Sequence, residues 1–524
     1  MMKRSEHLAA LESEDFDLCI VGGGATGLGA AVDAASRGHR VALVEQADFA
    51  KGTSSRSTKL VHGGVRYLKQ GNVSLVLDAL RERGRLAKNA PHLVKDLPFV
   101  IPTYHWWEGP FYGIGMKVYD ALAGKLGFGP SHHLSKVETL ARIPTIEPEG
   151  LTGGVIYHDG QFDDARLAIH LAMTADELGA KLVNYVRCVS LVKEGEKVRG
   201  VEVLDLESNR SFTIRARAVI NATGVFVDEL RRADEPSSSE IVAVSQGVHL
   251  VLPKDFLPGD SAIMIPKTAD GRVLFAVPWH DCVVLGTTDT PLSDRSLEPR
   301  ALPEEVDFLM THARRYLSRD PQPRDVLSVF AGLRPLVKAS GNGNTASLSR
   351  DHTILIGESG LITITGGKWT TYRKMAEDVI DRAEEVAGME KVPCRTMELP
   401  VHGATTEEIA EPHLRLYGSD AVAIRSTGEG YRVHPALELT AAEVRWHVRA
   451  EMARGVEDVL ARRSRALLLD ARASIEAAPA VAAIVADELG RDAVWKAGQV
   501  AAYCELARGY VFDGAGCHEA SDTQ

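Results

Sequence analysis

The sequence predicts an α/β protein: a discontinuous βαβ-type domain interrupted by an inserted antiparallel β-sheet, and then a C-terminal all-α domain. Three observations predict it. A βαβ pattern with a glycine-rich turn occupies residues 16 to 46. Two later stretches, "AVINATGVFVDEL" at 218 to 230 and "HTILIGESGLITITGGKWTTYRKMAEDVIDRA" at 352 to 383, repeat the strand-then-glycine theme. After about residue 396 the texture changes to Ala, Leu, Arg and Glu at helical spacing.

In "FDLCIVGGGATGLGAAVDAASRGHRVALVEQ" the first six residues, 16 to 21, read as a short apolar strand. Gly22 to Gly27 form a turn, Ala25 to Arg37 a helix stopped by Gly38, and "RVALVE" the next strand. Gly22, Gly24 and Gly27 have the spacing G-x-G-x-x-G between strand and helix, the context in which a pyrophosphate meets a helix N-terminus. Gly22 allows the tight turn, Gly24 the approach of the phosphates, and Gly27 close packing of helix on strand. Glu45, about 20 residues on, is placed to accept hydrogen bonds from a ribose hydroxyl. The loop therefore predicts a dinucleotide, and its spacing fits FAD and NAD equally.

After Glu45 the chain runs into "AKGTSSRSTKLVHGGVRYLKQG", rich in small hydroxyl and basic residues, where a nicotinamide dehydrogenase would continue with further βα units. Ser54, Ser55 and Ser57 can hydrogen-bond along a phosphate chain or a ring edge without steric cost. The proline-containing, β-rich runs "GVHLVLP" and "RVLFAVPWHDCVVLGTTDT" suit an antiparallel sheet inserted into the first domain. In the last third, Thr440 and Glu443 match a capping box with Gly455 as a stop, and further helices follow. "SSSE" at 237 to 240 and "GNGNTAS" at 341 to 347 read as loops.

Composition narrows the classes. With 524 residues the chain exceeds one domain, and 45% apolar against 25% charged residues is ordinary for a globular protein. A net charge of −11 without a basic patch excludes a nucleic-acid surface. Six dispersed cysteines without a CxxC pair suggest neither a metal site nor a disulfide framework. The charged N-terminus and the absence of any window of about 18 apolar residues lead us to expect a cytoplasmic protein.

The motifs "VGGGATGLGAA", "TSSRSTKLVHGGVRYL", "FDDARL", "VINATGVFVDEL", "GVHLVLP", "VLGTTDT", "GLRPLV", "SRDHTI" and "GGKWTTYRKMAED", in this order over residues 20 to 380, resemble one known family. They resemble the FAD-dependent glycerol-3-phosphate dehydrogenases, within the D-amino acid oxidase type of flavoprotein fold. The resemblance implies a Rossmann-like FAD-binding domain in parts at about 14–95, 150–235 and 340–395, with a cap domain at about 96–149 and 236–339. Together these make the oxidoreductase region 14–395, followed by the helical domain 396–524.

For the cofactor, the resemblance implies that Gly22, Gly24, Gly27 and Glu45 hold the ADP half of FAD. Thr53, Ser54, Ser57, Lys59, His62 and Gly63 would line the middle and the flavin, and Gly224 of "ATG" would close over it. Gly366, Gly367 and Lys368 would put N–H groups and positive charge near the N1–C2 edge, where reduced flavin is anionic.

For glycerol 3-phosphate, it implies Arg66, Tyr67 and Arg350 on the phosphate, since guanidinium forks suit phosphate oxygens, and Arg334 and Lys368 nearer the reacting carbon. His249 is the expected proton acceptor, and His62 a structural partner of the cofactor. Electrons would pass to a membrane quinone, and the compact 240 to 340 run lacks room for the oxidase branch's insertion. The anchor would be residues 104 to 129, with Trp106, Trp107, Phe111, Tyr112, Ile114 and Met116 as apolar surface. There Lys117 and Lys125 are opposed by Glu108. The expected enzyme is thus peripheral at the inner face of the cytoplasmic membrane, with room left for a homodimer. The alternatives are a dioxygen-using glycerol-3-phosphate oxidase, another amino-acid or hydroxy-acid oxidase of the fold, or a silent FAD-binding scaffold.

Overall fold

Alternation within "DFDLCIV" builds the centre of the first sheet. In the strand Asp15–Val21, Leu18 and Ile20 face one core while Cys19 and Val21 face the opposite one, so both sides of the sheet are covered. The structure is a computed structural model and describes residues 1–64, 72–266, 268, 272–338 and 352–514. The loop expected at 341 to 347 lies outside them.

Asp15–Val21 pairs in parallel with Val41–Val44 on one side and Arg210–Asn221 on the other. Lys181–Val183 extends the sheet in parallel beyond Val41–Val44, and Ile362–Gly366 extends it beyond Arg210–Asn221. The antiparallel strands Val186–Glu194, Lys197–Asp205 and His352–Ile356 complete it. Helices Ala25–Ser36, Asp164–Glu177 and Tyr372–Ala387 cover one face. Gly29 permits the closest crossing, because a Cβ there would lie 2.9 Å from the Tyr372 ring.

The second sheet has ten strands among the described residues, with Val242–Pro253 paired to both Cys282–Gly286 and Ser328–Val337. It is antiparallel as expected except for one parallel pair, Ala262–Ile265 with Val94–Thr103. Gly153–Phe162, within a stretch the sequence assigns to the cofactor part, pairs instead with Val94–Thr103 in this second sheet. It is buried along almost its whole length, so no alternation reveals the choice of sheet.

The C-terminal helices bury their apolar faces against each other and against Val251, Trp279, Val284 and Phe330 of the second sheet. Thr440 and Glu443 form the expected capping box on the helix Ala441–Arg449. That helix stops before Gly455, because Glu451 turns inward to a buried ion pair with Arg166 at 2.7 Å and Met452 takes a left-handed backbone. Asp470 and Asp492 cap the two longer helices, Ala471–Leu489 and Ala493–Arg508. Cys19, Cys188, Cys282, Cys394 and Cys504 are free thiols.

Between the helical domain and the first sheet lies Asp48, fully buried. It accepts from Arg462 Nε at 2.5 Å, from both terminal nitrogens of Arg463, and from Asn184 Nδ2 at 3.1 Å. Burial pushes its carboxyl pKa up, but the adjacent Arg463 and Arg462 outweigh this and hold it below the ordinary carboxylate range. Removing one partner of such a group leaves buried charge unpaired. Asp48→Ala is expected to cost about 3–5 kcal/mol. Differential scanning calorimetry checks this, since an unchanged melting profile would mean the arginines find other partners.

Candidate active site

Turns at the carboxyl ends of the parallel strands and one edge of the second sheet enclose a cleft of about 570 Å3. Gly22, Gly24 and Glu45 lie at one end of its lining, and His249, Arg334 and Lys368 come from elsewhere in the chain.

The glycine spacing is explained atom by atom. Gly22 has φ +116°, and a Cβ on it would sit 2.5 Å from the Ala222 carbonyl oxygen. Gly27 lies behind the cleft, where a Cβ would come within 1.9 Å of Gly22 O, so it serves the packing of helix on turn. Gly24 is the N-cap of Ala25–Ser36, and the Ala25 N–H donates to Ser54 Oγ at 2.9 Å. Glu45 accepts from the Gly23 N–H at 2.7 Å and the Ala47 N–H at 2.9 Å, which ties the glycine turn to the second strand. Burial raises its carboxyl pKa, and the two N–H donors oppose that rise. A close-backed glycine turn opening a helix, with an acid at the next strand's end, fits the ADP portion of FAD.

The segment 53 to 63 divides. Thr53, Ser54, Ser57 and His62 line the cleft. Thr53 donates to Leu333 O at 2.6 Å, joining this segment to the second sheet. His62 and Thr370 exchange backbone and hydroxyl hydrogen bonds, linking the segment to the turn after the last parallel strand. Lys59 and Gly63, expected on the cleft, lie behind it. Lys59 is completely buried and paired with Asp164 at 2.7 Å, and its left-handed backbone turns the side chain inward. Burial lowers its ammonium pKa to about 7, against the opposing pull of Asp164. The Gly63 N–H donates to Tyr119 OH, and a Cβ there would collide with that oxygen and with Leu80.

Gly224, Gly366, Gly367 and Lys368 line the cleft, and all three glycines have positive φ. Lys368 caps the short turn Trp369–Thr371 that leads into Tyr372–Ala387. Trp369 Nε1 donates to Ser54 O at 2.8 Å, binding the two cofactor segments together across more than 300 residues of chain.

His249 and Arg334 sit on adjacent strands, the pairs Ser245↔Arg334 and His249↔Phe330 belonging to one antiparallel register. The His249 ring stacks on Phe330 with centroids 4.7 Å apart, and Nε2 lies 2.9 Å from Thr58 Oγ1. Burial first, and then Lys59 and Arg334, hold its pKa well below the ordinary histidine value, so the ring is neutral. Arg334 donates to Gln246 O at 3.2 Å, Thr288 O at 3.0 Å and Thr287 Oγ1 at 3.1 Å. Gly247 is required beneath it, since a Cβ would lie 2.1 Å from Nη2. Arg66, Tyr67 and Arg350 lie outside the described residues.

The residues that sequence reasoning passed over are supports. Thr58 holds His249, and Asp164 accepts from Ser57 and Lys59. Asp164 was visible in "FDDARL", and Thr58 in "TSSRSTKL". Only tertiary pairing reveals what they hold.

The two-sheet fold, the glycine cradle and the cleft between them define a FAD-dependent oxidoreductase. Residues 17–373 match the FAD dependent oxidoreductase family, and residues 357–496 match the C-terminal domain of alpha-glycerophosphate oxidase. The chain belongs to this family and, within it, to the glycerol-3-phosphate dehydrogenases. It is 41% identical to the probable mitochondrial glycerol-3-phosphate dehydrogenase of Caenorhabditis elegans, over 95% of this chain and 74% of that one. It is 38% identical to the mitochondrial glycerol-3-phosphate dehydrogenase of Homo sapiens, over 97% and 75%. The fold superposes on the glycerol-3-phosphate dehydrogenase from Bacillus halodurans complexed with FAD, with TM-score 0.81, 29% identity and 99% of both chains covered.

Gly22→Val is expected to abolish FAD retention while leaving the far-UV circular dichroism intact. Purified wild-type protein should be yellow and the variant colourless after gel filtration. A variant with normal flavin absorbance would remove the glycine turn from the cofactor site.

Proposed function

We propose that the chain oxidises sn-glycerol 3-phosphate to dihydroxyacetone phosphate and passes the electrons to a membrane quinone. The observation that carries this reading is the meeting of a neutral buried histidine, a held arginine and a lysine in the cleft that contains the glycine cradle. The relatives' names, glycerol-3-phosphate dehydrogenase, support the choice of substrate.

Oxidation of the C2 alcohol removes a hydroxyl proton and a hydride. FAD, when bound, supplies the two-electron acceptor for that hydride. His249 takes the proton on Nε2, the ring nitrogen that shares a hydrogen bond with Thr58 Oγ1 at 2.9 Å, because Nδ1 is wholly enclosed. Stacking on Phe330 fixes the ring plane, so the proton is taken without rotation. Arg334 is held by the Gln246 and Thr288 carbonyls and the Thr287 hydroxyl, with the Asp289 carboxylate at 3.5 Å, and offers a fixed positive charge to the developing alkoxide. Lys368, in the lining of the same cleft, adds positive charge. Arg66, Tyr67 and Arg350 bind the phosphate. Gly22, Gly24, Glu45, Thr53, Ser54, Ser57, Gly224, Gly366 and Gly367 hold the cofactor, with His62 beside it.

Among the described residues no helix is long and apolar enough to cross a membrane. The helix Glu108–Ala123 and the turn before it supply a contact instead. Trp106 is 85% exposed and Ile114 69%, and Trp107, Phe111 and Val118 share the outer face at helical spacing. Met116, expected on that surface, faces inward at 2% exposure beside Tyr119, and Tyr112 is half-buried, because 112, 116, 119 and 123 form the opposite stripe. The carboxylate of Glu108 is turned back to the Tyr104 and His105 N–H groups, which reduces its opposition to an anionic surface. This face supports a peripheral position at the inner side of the cytoplasmic membrane.

Anaerobic mixing with glycerol 3-phosphate should bleach the flavin, and a quinone analogue should restore it faster than air. Absence of bleaching overturns the substrate, and faster recovery in air makes dioxygen the acceptor. His249→Ala should slow bleaching by about 10²–10⁴-fold. Because the His249 pKa is depressed, the accepting form persists below the usual histidine value. The wild-type bleaching rate should therefore hold from about pH 7 to about pH 6, and an acid limb at the ordinary histidine value would exclude His249.

Trp106→Ser/Trp107→Ser should reduce co-sedimentation with anionic liposomes by at least about half. An unchanged bound fraction excludes this face as the contact.

A further inference from the structure

The C-terminal helical domain places an arginine directly behind the cofactor cleft. Arg465 is buried, and its Nη2 donates to Ser55 O at 2.7 Å and to Asp164 Oδ1 at 2.9 Å. The other oxygen of Asp164 accepts from the Ser57 N–H at 2.9 Å, Ser57 Oγ at 2.7 Å and Lys59 Nζ at 2.7 Å. Lys59 closes the figure by donating to the same Ser55 carbonyl at 2.8 Å. One carboxylate and one carbonyl thus tie the turn 53 to 59 to a residue more than 400 positions away.

Both cations in this figure are strained. Lys59 and Arg465 each have φ +65°, the left-handed region that non-glycine residues seldom occupy, and both converge on Asp164. Such strain persists only where surrounding contacts over-determine it. Beside them Ser54, Ser57 and Thr58 line the cleft, and Thr58 also holds His249.

We propose that Arg465 is a positioning residue for the flavin. Acting through Asp164 and the Ser55 carbonyl, it holds the turn 53 to 58 in the shape the cofactor requires, so the helical domain sets flavin affinity. The inference rests on the reading of this cleft as the FAD site. A guanidinium suits the task, because its Nη2 reaches a carboxylate and a carbonyl together while its Nη1 is anchored on Ala461 O at 2.9 Å.

The test uses the full-length protein stripped of flavin and titrated with FAD, following flavin fluorescence and the visible spectrum of the complex. Arg465→Met should weaken binding at least about tenfold and shift the bound-flavin absorbance. Arg465→Lys, which keeps the charge and loses the fork, should fall between, at about threefold, with faster amide hydrogen exchange in residues 53 to 58.

Arg166→Met is the comparison. It breaks an equally buried ion pair to the helical domain, with Glu451, that touches no part of this turn. Its FAD affinity should stay within about threefold of wild type. Wild-type affinity and spectrum in Arg465→Met, or an equal loss in Arg166→Met, would overturn the proposal. If Arg465→Met does not fold, Arg465→Lys decides, and unchanged affinity and exchange there overturn it equally. Gly22→Val separates the two readings: flavin kept by that variant refutes the cleft as the site, whereas flavin lost there and kept by the Arg465 variants refutes the positioning role alone.

Discussion

Charge that is buried must be paired, and much of this structure follows from that constraint. Arg462 and Arg463, at the end of the irregular helical turn Asp458–Arg463, and Arg465 just beyond it reach into the first domain, where Asp48, Asp163 and Asp164 receive them. None of these ions could be left without its partner, since the cost of a lone charge in such surroundings is several kcal/mol (about 3–5). The helical domain is therefore bound to the oxidoreductase region by geometry as well as by apolar area. The carboxylates that receive it belong to segments adjoining the cleft.

The cleft in turn depends on backbone approach. The glycine turn closes only because Gly22 and Gly27 lack a Cβ, and Gly247 plays the same part under Arg334. Once the backbone is that close, hydrogen bonds accepted by Glu45 and donated by Thr53 and Trp369 join the parallel sheet, the polar segment and the last helix of the core. The side chains proposed for the chemistry are held by others: Thr58 and Phe330 hold His249, and Gln246, Thr287 and Thr288 hold Arg334. A neutral histidine beside two cations is the outcome of that packing, as burial and like charge both disfavour its protonation.

The outer face of Glu108–Ala123 shows how one helix serves two environments. Its inner stripe fills a core with Tyr157 and Met264 of the second sheet, while its outer stripe keeps large apolar side chains exposed. A spacing of three and four residues separates the stripes, so a list of apolar residues from this stretch necessarily mixes both.

The sequence by itself determined the βαβ unit, the flavoprotein family, the helical C-terminal domain and most cleft residues. Their signals are local: the glycine spacing, the capping box and the motif strings lie within short runs of chain. Tertiary structure decided what local pattern cannot carry. It sent Lys59 and Gly63 behind the cleft, because a left-handed backbone at one and the Tyr119 hydroxyl at the other oblige them to turn inward. It placed Gly153–Phe162 in the second sheet and ended Ala441–Arg449 early to bury Glu451. It also gave Asp164 and Arg465 their meaning, since an ion pair between residues 301 positions apart exists only once the chain has folded.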